Sequence, residues 1–179
     1  DYRKGDTLIR FLTIMSSRWT RLVLVLLIVI SLQTTLFAEM RPFGVAAQLV
    51  LLFVVVSGSI NGSTIGALTG LIAGLMYDFV LPTPVGLTSL ALGLAGATAG
   101  LLVYFFREPT WWMRLITIGV VSLLGEVYYP LAQTVVGLDG WLQFRIIKVA
   151  IVVAVCNLVL SPIAIFVCRW TLTERKLSV

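Results

Sequence analysis

Residues 58–100 read GSINGSTIGALTGLIAGLMYDFVLPTPVGLTSLALGLAGATAG, and this stretch decides the fold. Gly58, Gly62, Gly66, Gly70 and Gly74 recur every four residues, which puts them on one continuous ridge of a helix, and the next step along that ridge is Asp78. Glycine is costly inside a soluble helix. Inside a bilayer it removes the side-chain bulk that holds two helices apart, so repeated G-x-x-x-G predicts close backbone packing. A ridge spaced by four is inclined to the helix axis, so its partner should cross at an angle, with small residues at the crossing. Gly93, Gly96 and Gly100, interleaved with Ala95, Ala97 and Ala99, supply such a partner. Between the two halves, Leu81-Pro82-Thr83-Pro84 cannot continue a helix and can start one, with Thr83 as cap and Pro84 in the first turn. The stretch predicts a glycine-packed helical hairpin with one acidic residue near its turn.

Working outward, the composition points to a membrane. Of 179 residues, 59% are hydrophobic and 12% charged, and the mean hydropathy of +1.05 excludes an ordinary soluble domain. There is room for five or six spans of about 20 residues and none for a separate soluble domain. The expected organisation is one all-α membrane domain: a basic juxtamembrane segment over 1–18, a six-helix bundle over 19–170 and a cytoplasmic tail over 171–179. Nothing resembles a cleaved signal peptide. Cys156 and Cys168 are too sparse for a disulfide framework or a metal site and are expected to be buried packing residues.

Six spans are expected. The first runs from about Trp19 to Phe37 and carries Ser31, Gln33, Thr34 and Thr35 near its far end, where they can bond a neighbouring helix or headgroups. The second, about Gly44 to Ser57, is short for a crossing, and Gln48 is its only strongly polar side chain. The third, about Asn61 to Val80, is the glycine ridge, and the fourth runs from Pro84 to Phe106. Trp111 and Trp112 form an interfacial aromatic belt at the start of the fifth, which reaches about Val136. The sixth, about Leu142 to Trp170, is over-long for one crossing.

With both termini in the cytoplasm, the inner side holds Arg3, Lys4, Arg10, Arg18, Arg21, Arg107, Arg114, Arg169, Arg175 and Lys176, ten of the 13 basic residues. The outer side keeps Arg41, Arg145 and Lys148. This asymmetry is what the positive-inside rule predicts for a multi-pass protein of the cytoplasmic membrane. The net charge of +5 is then a signal for orientation and anionic lipid, and nucleic-acid binding has little support.

Chemistry is sparse. There is no histidine, so imidazole acid–base work and histidine ligation are absent, and no cofactor is implied. Two carboxylates, Asp78 near the outer face and Glu126 deeper, are placed at membrane depth, where a charge needs a partner or water. They can share acid–base work, or each can be neutralised by a basic side chain, with Arg145, Lys148 and Arg41 on the same side; the second reading is preferred. For Asp78 a further role is helix capping, by accepting hydrogen bonds from the free amides at the start of the fourth span. Capping expects Asp78→Asn to be mild and Asp78→Ala destabilising. An ion pair expects both to be damaging, and catalysis expects Asn to abolish activity in a protein that still folds.

The run Gly66-Ala67-Leu68-Thr69-Gly70-Leu71-Ile72-Ala73-Gly74-Leu75-Met76-Tyr77-Asp78, then Pro82-Thr83-Pro84-Val85-Gly86-Leu87 and the small-residue helix ending in Ala99-Gly100, resembles the central signature of MreD, a family of bacterial rod shape-determining membrane proteins. Leu32-Gln33-Thr34-Thr35-Leu36 is similar to the Q-S-T-L at the end of that family's first span. The resemblance covers about residues 20–105; the remainder matches in length and hydropathy. One departure stands in the second span, where the family commonly has an acidic residue and this chain has Ala47-Gln48-Leu49. The resemblance implies a non-enzymatic scaffold of the cell-elongation complex that binds MreC and helps link MreB filaments to RodA and a penicillin-binding transpeptidase. It also implies a fold similar to the six-helix substrate-binding subunits of energy-coupling-factor transporters. Hence the alternative reading, a small-molecule-binding subunit of a vitamin-type transporter, which expects polar and aromatic side chains converging on an outward pocket.

Overall fold

A computed structural model describes residues 17–39, 48–80, 84–106, 110–137 and 144–172, which form six helices and no strand among the described residues. They are α1 (Arg18–Glu39), α2 (Leu49–Asn61), α3 (Ser63–Asp78), α4 (Leu87–Phe105), α5 (Trp111–Val135) and α6 (Phe144–Leu172). Four of them, α1, α4, α5 and α6, are long and apolar enough to cross a bilayer. At 13 and 16 residues, α2 and α3 are only about 20 and 24 Å long, against a hydrocarbon thickness of about 30 Å.

The shortness of α2 and α3 corrects the first expectation. The five glycines do not lie on one continuous helix: Gly62 ends α2 and starts α3, with φ +89° and ψ 172°, a backbone region that glycine alone enters freely. Gly58 therefore belongs to α2, and Gly66, Gly70 and Gly74 to α3. The chain doubles back at Gly62, as the bond between Ser57 Oγ and Thr69 Oγ1 at 3.0 Å shows, since these residues flank the break on opposite arms. Spacing by four is blind to such a break, because Gly62 fits the ridge and the reversal equally well.

Around α2 the other helices close a ring in the order α1, α3, α4, α5, α6 and back to α1, and every one of them touches α2. That central place explains the sequence of α2. Leu49-Val50-Leu51-Leu52-Phe53-Val54-Val55-Val56 is apolar all round, the pattern of a helix with no solvent or lipid face, and Val50 to Ser59 are all buried. The ring helices carry a second apolar stripe outward, for example Leu68, Leu71 and Leu75 on α3 and Ile151, Val155 and Val159 on α6. Apolar side chains both inside and outside are the signature of a bundle whose solvent is lipid.

The helices alternate in direction. Arg21 of α1 donates from Nη1 to the Trp170 carbonyl of α6 at 2.9 Å, so the start of α1 and the end of α6 share one end of the bundle. Cys168 is buried as expected, whereas Cys156 is half-buried. The basic segment over 1–16, Arg41, Pro82, Thr83 and the tail beyond 172 lie outside the described residues.

Candidate functional site

The closest packing in the molecule joins α3 to α4. A Cβ added at Gly66 would strike the Gly96 carbonyl, one at Gly70 the Leu92 carbonyl, and one at Gly74 the main chain of Thr88 and Ser89. Gly58 of α2 meets the same Gly96 carbonyl, so three backbones converge there with no side chain between them. From α4, Gly96 lies against the main chain of Gly66 and Gly100 against Gly62 and Ser63, while Gly93 faces the side chain of Leu71 with the Ala67 carbonyl farther off at 3.8 Å. The packing agrees with small residues removing the bulk that otherwise separates membrane helices.

Asp78 closes the far end of this contact. Its side chain is 2% exposed, and its two oxygens accept three backbone amides at the start of α4: Oδ2 takes Gly86 N–H at 2.7 Å and Ser89 N–H at 3.4 Å, and Oδ1 takes Thr88 N–H at 3.2 Å. The amides of a first helical turn have no partner within the helix and carry the positive end of its dipole, so a carboxylate from the preceding helix stabilises them twice over. Gly86 makes the approach possible. It is the third residue of a turn in which Leu87 N–H donates to the Pro84 carbonyl at 3.3 Å, and its φ of +101° is one that favours glycine. Pro84 thus precedes α4 rather than lying in its first turn, which corrects the expectation of a helix start at Pro84. Ser89 adds a further link by donating from Oγ to the Leu71 carbonyl of α3 at 2.8 Å.

The residue before Asp78 does the same service for a different helix. Tyr77 Oη accepts from Gln33 Nε2 at 2.9 Å, and Gln33 Oε1 accepts the Val50 N–H at 2.9 Å. Gln33 on α1 therefore caps the central helix α2 from outside, while Gln48 at the N-cap position makes no side-chain cap bond. Two adjacent residues at the end of α3 so hold the starts of two helices, one directly and one through α1. Replacing Gln33 with Ala would strand the Val50 amide and the Tyr77 hydroxyl, and should cost about 1–2 kcal/mol. Thermal unfolding in detergent checks this, with Gln33→Glu, which keeps the acceptor for Val50, expected to lose less.

The expected ion pairs are not seen among the described residues, which leave out Arg41 and the side chain of Arg145. Lys148 is exposed, and neither Asp78 nor Glu126 makes an ion pair among the described residues; Arg145 lies in the first turn of α6 and its side chain is outside the described ones. Glu126 is half-buried on α5, and its Oε1 is buried without a hydrogen-bond partner. Asn157 of α6 is fully buried and donates from Nδ2 to Ser122 Oγ at 2.9 Å, a bond that no spacing in the sequence signals. Among the described residues no three His, Cys, Asp or Glu side chains cluster as metal ligands.

A family model for rod shape-determining protein MreD matches residues 13–171, a wider span than the 20–105 carried by the motifs. No curated protein and no solved structure matches the chain.

Proposed function

This chain belongs to the MreD family of rod shape-determining proteins, and from that membership we propose that it is a non-enzymatic membrane scaffold of the cell-elongation complex. In this reading it binds an MreC-like single-span protein and helps organise MreB, RodA and a penicillin-binding transpeptidase during peptidoglycan synthesis. One observation carries the reading. Of the polar residues in the stretches that carry the family resemblance, Gln33 and Tyr77 are bonded to each other, and Gln33 and Asp78 are bonded to helix starts. A bundle braced in this way is suited to holding a fixed outer surface for other helices. The test is co-purification. A tagged chain expressed with its MreC-like partner should retain it through detergent extraction, and a partner that washes away under conditions in which the chain stays folded would sink the reading. Stabilisation by a vitamin-like small molecule instead would favour the transport-subunit alternative.

We further propose a chain embedded in the bacterial cytoplasmic membrane, crossing it six times, with both termini inside. The alternation of helix directions supports this, as does the gathering of Arg18, Arg21, Arg114 and Arg169 toward the end shared by the start of α1 and the end of α6. In whole cells, cysteines placed at Lys4 and Lys176 should resist a membrane-impermeant thiol reagent. Labelling of either from outside would reject the orientation.

A further inference from the structure

Of the five helices in the ring, α3 is the shortest, and both of its ends are pinned. At one end the chain reverses at Gly62, the single residue between α2 and α3. At the other, Asp78 holds the amides of Gly86, Thr88 and Ser89. Between them α3 lies on the main chain of α4, with Ser63 against Gly100, Gly66 against Gly96, Gly70 against Leu92 and Gly74 against Ser89. It is therefore not free to slide or to lengthen toward either membrane surface. Past the contact at Gly100, α4 runs on to Phe105, about 8 Å farther. No part of α3 lies alongside that stretch, and Tyr104 and Phe105 there are 83% and 81% exposed. The outward side of α3 carries Leu68, Leu71 and Leu75, continued by Phe79 and Val80. Asn61 and Thr64 are the exposed polar residues at its other edge. From Thr64 to Val80 the chain climbs about 24 Å. The exposed apolar residues of α5 run from Ile116 to Val135 and those of α6 from Ile147 to Phe166, about 29 Å in each case.

One side of the bundle is thus matched to a thinner hydrocarbon layer than the other. A span too short for its bilayer is accommodated by flanking side chains that snorkel, by a further helix that covers it, or by thinning of the lipid. Snorkelling and interfacial anchoring have no residues to work with, because the chain has no Lys, Arg or Trp from Leu49 to Val80. Residue type argues against a covering helix. The glycines of α3 that permit close approach are turned to α4, and the outward side presents leucines, which suit fluid acyl chains better than a closely packed helix. Thinning is left. We propose that the outward face of α3 is a lipid-contact surface that thins the bilayer beside it, selecting phospholipids with acyl chains of about 14 carbons over the about 18 that suit a core of about 30 Å.

The experiment reads lipid contact at α3 and at α6 in the same vesicles. With Cys156 and Cys168 replaced by Ala, a lone cysteine is placed at the exposed Leu71 of α3 or the exposed Val155 of α6 and labelled with bimane. The full chain is reconstituted in equal amounts of the shorter and longer phosphatidylcholine, with a quenching nitroxide on the chains of one or the other. At Leu71→Cys the shorter lipid should quench at least about twofold more strongly than the longer; at Val155→Cys it should have no advantage. Leu75→Cys and Val159→Cys, one turn along on the same faces, should repeat the contrast and stand in for a first variant that does not fold. Equal quenching by the two lipids at α3 would overturn the proposal. So would the same preference at α6, which would make it a property of the whole bundle, or protection of α3 from both lipids, which would mean that a second copy covers it.

Discussion

Gly70→Leu and Gly74→Leu are each expected to abolish recovery of folded protein from the membrane. The atoms a new Cβ would strike are the main chain of Leu92 and Gly93 in one case and of Thr88 and Ser89 in the other, so no side-chain rotation relieves the clash. Even alanine at Gly70 should destabilise: overpacking costs about 1–3 kcal/mol or more, against a gain of at most about 1 kcal/mol from helix propensity. Two controls separate packing from backbone effects. Gly119→Ala meets only the Leu158 side chain at ordinary contact distance and should be neutral or slightly stabilising. Gly62→Ala meets nothing within 4 Å, but at φ +89° it should still cost about 1–3 kcal/mol through backbone strain alone. Yield, monodispersity on size exclusion and Tm in detergent measure all five. Normal behaviour of both leucine variants would mean that α3 and α4 do not pack through these glycines.

Asp78→Ala should be the next most damaging substitution. It leaves three amides at the start of α4 without their acceptor, two of them buried and all served by a charged group; the loss of such a cap is worth about 2–4 kcal/mol. The geometry also refines what asparagine should do. Both carboxylate oxygens accept, so an asparagine can place its one oxygen toward Gly86 and Ser89 only by turning its NH2 toward the Thr88 amide, donor against donor. Asp78→Asn is therefore expected to fall between wild type and alanine rather than near wild type. With no ion pair at Asp78 among the described residues, neutralising Lys148 should rescue neither variant. Tm and partner co-purification for the two variants, alone and with Lys148→Gln, decide the matter. Rescue by Lys148→Gln would restore the ion-pair reading. A folded, partner-binding Asp78→Asn protein that fails to support rod shape would instead point to chemistry at the carboxylate.

Much of this was legible in the residues because the physics involved is local or periodic. Helix number follows from apolar runs and their breakers, and the membrane from composition. The close α3–α4 contact follows from Gly66, Gly70 and Gly74 at every fourth position, since close helix packing offsets the cost of glycine in a helix. Asp78 as a cap was readable too, since a carboxylate a few residues before the start of the next helix has that helix's free amides within reach. The tertiary structure alone decided three things. Gly62 is a reversal and not a ridge residue, and only the ring of helices around α2 shows why the chain must turn there. The apolar run Leu49–Val56 is the centre of the bundle rather than a lipid-facing span; lipid tails and protein interior are equally apolar, so hydropathy cannot tell them apart. Gln33 caps α2 across 17 residues of chain, and Ser122 and Asn157 meet from two helices, 35 residues apart in sequence. Such bonds join side chains to partners with no fixed spacing in sequence, so only the packing of the helices can bring them together.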